Sequence, residues 1–191
     1  DFVPDGAEGL IITLSVQATE KWQQEVELLA LFRSDLQPAW LGEEVGMLDQ
    51  PDQATAAADK RTVIFADGGN PWFAAVWASH EAAEILIAES LPSPQPTLGK
   101  GINAQFTLPL HFDEQGKASC EFFVAGSMHS EQAALATLAL LQQNEEQLFA
   151  DKEHAYKSLV TTSALVSPDE TVNEAIAWSK INFQRHLRTV A

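Results

Sequence analysis

Residues 130–159 read SEQAALATLALLQQNEEQLFADKEHAYKSL, and the way this stretch folds decides how the remainder is organised. Ser130 suits an N-cap, because its short hydroxyl side chain can accept a hydrogen bond from a free amide of the first turn. Glu131 puts negative charge at the positive end of the helix dipole, and no Gly or Pro interrupts the run to Leu159, so the spacing predicts one helix over 130–159. Ala134, Leu138, Leu141, Leu148, Ala155 and Leu159 fall on one narrow face. Up to Leu141 the flanking residues are apolar as well, so that half should be buried on all sides. From Gln142 to Glu153 only Leu148, Phe149 and Ala150 are apolar, and Glu145 and Lys152 sit on the seam itself, so that half can bury only a thin stripe. A helix buried at one end and solvated along the other is expected to bridge two bodies of protein.

Downstream, Ser167-Pro168-Asp169-Glu170 carries a second start signal. Ser167 fits the N-cap, Pro168 the first helical position and Glu170 the third, which together make a capping box. The helix it opens has a face of Val172, Ala175, Ile176, Phe183 and Leu187, flanked by Trp178 and Ile181. That face is too wide and too apolar for a lone helix resting on a finished domain. The chain ends at Ala191, shortly after Arg188, with no Gly or Pro stop, so these residues are expected to be the front end of a longer polypeptide.

Upstream, apolar and polar residues alternate as in strands. Leu10, Ile12, Leu14, Val16 and Ala18 form one such run and Trp22 to Phe32 another, and an antiparallel pair is the simplest arrangement of the two. Pro38 and Gly42 break the pattern in 34–42, and Gly46 to Lys60 looks like an exposed connection. Thr62 to Ala66 reads as a short strand ended by a turn, Asp67-Gly68-Gly69-Asn70-Pro71. Trp72 to Ala78 and Glu84 to Ala88 are apolar on both faces and are expected to be central strands, with a helical turn possible over His80 to Ala83. Pro92, Pro94 and Pro96 make 91–96 an extended loop. Ile102 to Phe112 and Ala118 to Ala125 are then expected to form a hairpin across Asp113-Glu114-Gln115-Gly116-Lys117. Strands gathered ahead of two helices point to a mainly β protein, an antiparallel β-sandwich followed by a linker helix and a further helix. The expected division is a β-sandwich domain over 1–128, a linker helix over 129–166 and the start of a helical domain over 167–191.

Composition narrows the function classes. The 191 residues hold 27 Asp+Glu against 11 Lys+Arg, a net charge of -16, which disfavours nucleic acid and anionic lipid as partners. A mean hydropathy of -0.09 and 46% hydrophobic residues suit a folded globular chain. No apolar run approaches the roughly 20 residues needed to span a bilayer. One cysteine, Cys120, excludes an internal disulfide and cysteine-based zinc sites. It sits in an alternating strand and reads as a small core residue.

Motifs with chemistry are weak. His80-Glu81-Ala82-Ala83-Glu84 has Glu84 where a zinc-protease motif needs its second His, and His111, His129 and His154 are scattered, so no metal site and no cofactor are expected. Gly99-Lys100-Gly101 lacks the other glycines and the Ser or Thr of a phosphate loop. The best candidate contact surface is the turn itself. Asp67 and Asn70 could hydrogen-bond hydroxyls while Trp72 offers an apolar ring to a sugar face; the plainer alternative is that Trp72 and Trp77 fill the core.

The order of a strand-rich region, then AGSMHSEQAALATLALLQQNEEQLFADKEHAYKSL (125–159), then SPDETVNEAIAWSKINFQ (167–184) resembles the amino-terminal region of bacterial glycogen-debranching-type proteins. These are the amylo-α-1,6-glucosidase-like members of the glucoamylase-like (α/α)6 glycosidases. The resemblance implies a supersandwich-like β domain, a linker helix, and a helical toroid whose first helix is the stretch with Asn173, Ala177, Trp178 and Lys180. In that family the catalytic acids lie in the toroid, so no catalytic residue is implied here, and the chain alone is expected not to be catalytic. The implied partners are the (α/α)6 domain of the same polypeptide and an oligosaccharide, whose site a sandwich loop can help shape. A self-contained carbohydrate-binding module using Asp67, Asn70 and Trp72 is the alternative.

Overall fold

The computed structural model describes residues 1–18, 25–38, 42–90 and 100–186. It contains β1 (Gly9–Gln17), β2 (Val26–Arg33), β3 (Asp52–Ala56), β4 (Thr62–Asp67), β5 (Phe73–Ala78), β6 (Glu84–Ala88), β7 (Asn103–Leu110), β8 (Lys117–Ser127), α1 (Glu131–Thr161) and α2 (Glu170–His186). The strands form a five-stranded sheet in the order β1-β8-β5-β4-β3 and a three-stranded sheet in the order β2-β7-β6, with every neighbouring pair antiparallel. Two compact units result, Asp1–Gln143 and Asn144–Ala191.

In the first unit the period-2 alternation sends Val63, Phe65, Val76, Cys120 and Phe122 of the larger sheet toward Ala104, Phe106 and Leu108 of the smaller one, and all of these are buried in one cluster. Rings pack within and across the sheets: Phe32 meets Phe106 of its own sheet at 5.7 Å and Phe122 of the larger sheet at 5.0 Å between centroids. The first of these contacts is edge-to-face, the geometry that aligns ring edge with ring face electrostatically. The result is a sandwich-like arrangement with its core between the sheets. On the opposite face of the larger sheet Ile11, Ala75, Phe123 and Ala125 are buried too, as are Ala134, Leu138 and Leu141 of α1. Gly9 explains how the helix gets so close, since a Cβ there would fall 2.5 Å from Leu141 Cδ1 and 2.7 Å from the Val124 carbonyl oxygen.

Several expected pairings are corrected. β1 and β2 do not pair: β1 lies against β8, with Leu10 opposite Val124, and β2 lies against β7, with Leu28 opposite Leu108. Alternation says that a strand has one buried face but not which strand lies beside it. The turn at 113–117 exists, closed by the Asp113 amide bonding the Lys117 carbonyl at 2.8 Å, with Gly116 at φ 74°. It makes an arch rather than a hairpin, because β7 pairs with β2 and β6 while β8 pairs with β1 and β5, so the two strands meet through side chains across the core. β6 is an edge strand, not a central one, and its Leu86 is 42% exposed. The expected connection over 46–60 contains β3, the other sheet's edge strand, whose small alanines carry a faint strand signal. Residues 80–83 form no helical turn: His80 and Ala83 are bends, and Glu81 and Ala82 have no regular structure. The expected loop at 91–96, together with Trp22 and Leu187, lies outside the described residues.

α1 starts as its cap predicts, with Ser130 Oγ accepting from the Ala133 amide at 3.1 Å. Its first half is buried on one face only, not all round: Leu140 is exposed. At Asn144 the backbone leaves helical geometry (φ -127°, ψ 17°). In the second unit α2 begins later than its sequence signal. Asp169, not Ser167, is the N-cap, its Oδ1 accepting from the Thr171 amide at 2.9 Å. Ser167 is held instead by Asn173, whose side chain bonds its amide at 2.8 Å and its carbonyl at 3.0 Å. The Lys180 ammonium donates to the carbonyls of Val160, Thr162 and Ser163 at 3.1, 2.7 and 3.3 Å, a cation on the negative end of α1.

Candidate functional site

The structure brings Asp67, Asn70 and Trp72 into one turn between β4 and β5. Asp67 lies at the inward-facing end of β4, and its Oδ1 accepts from the Gly69 amide at 2.9 Å, from the Asn70 amide, and from Asn70 Nδ2 at 2.8 Å. Asn70 Nδ2 also donates to the Leu48 carbonyl at 2.9 Å, and the Asp67 amide donates to the Trp72 carbonyl at 3.1 Å. A carboxylate bonding its own backbone two and three residues on is the device that shapes such turns. Gly68 and Gly69 let the turn press on 50–51: a Cβ on Gly68 would lie 2.8 Å from the Pro51 carbonyl oxygen, and one on Gly69 would lie 2.5 Å from Gln50 Cγ. Asp67 Oδ1 and the Asn70 amide are thus committed to the turn, and the surface offered outward is the half-buried Trp72 ring.

Behind this turn is a polar group that sequence reasoning missed. Asp52 opens β3 directly opposite Asp67 in the β3–β4 register, and both are 7% exposed. Ser34, beside the end of β2, is buried as well. The parity of Ala54 and Phe65 shows that Asp52 and Asp67 point between the sheets. Asp52 Oδ2 accepts from the Leu36 amide at 3.0 Å, whereas Asp52 Oδ1 and Asp67 Oδ2 are buried without a hydrogen-bond partner. Burial pushes the Asp52 carboxyl above its ordinary range; the Leu36 amide and Ser34 hydroxyl oppose this, and the nearby charges of Asp67 and Asp35 add to it. Only a β3 strand placed beside β4 makes this pair visible.

The other sequence candidates are plain. Cys120 is buried and burial raises its thiol, so it is a core residue facing the Ser79 hydroxyl at 3.8 Å. Among the described residues no group of three or more His, Cys, Asp or Glu is placed to hold a metal ion, and no helix is long and apolar enough to cross a membrane.

The second unit offers a different surface. Val172, Trp178 and Phe183 of α2 are exposed, and Leu159, Ile176, Ser179, Lys180, Phe183 and Gln184 line a hollow of about 410 Å³. No family model matches the chain, and no curated protein matches it.

Proposed function

We propose that this chain is the non-catalytic amino-terminal β-sandwich domain of a glycoside hydrolase of the glycogen-debranching, glucoamylase-like kind. In this proposal 1–128 is the sandwich, α1 within 129–166 is the linker helix, and α2 within 167–191 is the first helix of an (α/α)6 catalytic domain. The sandwich packs against that domain and borders its sugar cleft. The observation that carries the proposal is the apolar face of α2, with Trp178 58% and Phe183 69% exposed on a helix that has a well-formed cap. Large apolar side chains held in water on an ordered helix mark a surface made to be covered. Support also comes from the order of two sheets and then two helices, which is the order of the resembled family. The purified chain, assayed against maltooligosaccharides, is expected to release no glucose; sustained turnover would overturn the non-catalytic assignment.

The half-exposed Trp72 ring on a tightly bonded turn favours a second function, a self-contained carbohydrate-binding module. Calorimetric titration with maltooligosaccharides then gives binding that Trp72→Ala abolishes while the fold survives. Unchanged binding in the variant would remove the turn as a site.

A further inference from the structure

We infer that Asp52 and Asp67 form one hydrogen-bonded acid–carboxylate pair in the folded protein, with Asp52 presenting its O–H to Oδ2 of Asp67. The two residues face each other across a strand pair, both nearly fully buried, and each has one oxygen without a partner. Two carboxylates in such a place cannot both hold full charge cheaply, because burial penalises each and each repels the other. A single proton removes one charge and turns two orphaned acceptors into one donor and one acceptor.

The division of roles follows from the hydrogen bonds. Asp67 Oδ1 is already occupied by donors from Gly69 and twice from Asn70, so the bridging proton is placed on Asp52. Asp52 has the Leu36 amide and the neighbouring Ser34 hydroxyl, and it faces the further charge of Asp35. No cation compensates among the described residues that pack here. Lys100 gives its carbonyl to the Asp52 amide at 2.9 Å but sends its ammonium to the Asp49 carbonyl at 2.7 Å. Arg33 alternates away from the core-packed Phe32 of β2, and on the β6 side Glu84 and Glu89 are exposed. Since Asp67 also fixes Gly69 and Asn70, loss of the proton sets Asp52 against the carboxylate that holds the 67–72 turn. The pair is a pH-sensitive latch on that turn, whichever function the turn serves.

The sign is set by Asp52. Its folded form binds a proton more tightly than its unfolded form, so the stabilisation is complete below the ordinary aspartate range and is lost as pH rises through the raised value. Carboxyl-carbon NMR titration of the full chain is expected to give Asp52 a midpoint above those of exposed aspartates. Asp67→Asn should bring that midpoint down, since the substituted amide removes the opposing charge while its carbonyl can still accept from Gly69 and Asn70. Independently, Asp52→Asn should remove the loss of folding stability that the wild type is expected to show as pH rises above the ordinary aspartate range. An Asp52 midpoint in the ordinary range, or one unmoved by Asp67→Asn, would overturn the inference. So would saturable stabilisation by calcium chloride that disappears in Asp52→Asn, because a cation and not a proton would then balance the two oxygens.

Discussion

The two units of this chain treat large apolar side chains in opposite ways. In residues 1–143, Phe65, Phe106 and Phe122 are at most 2% exposed, and all three belong to the one core cluster that includes residues of both sheets. From Asn144 onward no described residue is buried, although Trp178 and Phe183 are of similar size. The helices of the second unit are nonetheless well formed locally, with a bonded N-cap on α2 and three carbonyls at the end of α1 tied by Lys180. Local bonds can order a helix pair, but only cover from apolar partners adds the stabilisation of burial, of order 25 cal/mol for each Å² removed from water. The first unit therefore carries its stability internally, whereas the second leaves its largest apolar side chains in water.

Substitutions can break or sharpen this contrast. Phe106→Ala should have the largest effect, about 3–5 kcal/mol lost in urea denaturation, because the ring is fully buried and contacts both Phe32 and Phe122. Leu141→Ala should cost about 2–4 kcal/mol, since Leu141 is fully buried in the first half of α1 and lies against Gly9. A cost near zero there would mean that this half of α1 is not held by the sheet. Lys180→Met should cost about 1 kcal/mol, seen as faster amide exchange at the end of α1, because the carbonyls it serves are partly solvated. Trp178→Ser combined with Phe183→Ser should change stability by less than about 0.5 kcal/mol, as exposed residues do. The same pair should abolish the concentration-dependent self-association that light scattering is expected to show for the parent chain.

Much of the element pattern was legible in the residues themselves. Alternation located β1, β4, β5, β7 and β8 within a few residues, and the Ser130 cap located the start of α1. Pairing was not legible, for a physical reason. The side chains of β7 and β8 alternate in the same way whether the strands share a ladder or face each other across a core, so the turn at 113–117 is compatible with a hairpin and with an arch. β3 was hidden because Ala54 and Ala56 have little side chain with which to announce a buried face. Its invisibility hid Asp52 as well, one carboxylate among many until the register sets it opposite Asp67. At α2 two good capping residues stand two positions apart: Asp169 caps the helix, while the Ser167 hydroxyl accepts from the Asp169 amide at 3.1 Å and the Ser167 backbone is held by Asn173. The turn from Asp67 to Trp72 could be found from its glycines and its Asx residues, but the direction of the Asp67 carboxylate, inward and bonded to its own turn, depends on the strand that precedes it.

The most direct test of α2 as part of a larger catalytic body is the intact mass of the natural polypeptide, recovered from its source cells with an antibody to this chain. Expected is a product far heavier than the 20.8 kDa of these residues. A natural product of 20.8 kDa would contradict the proposed domain of a larger hydrolase.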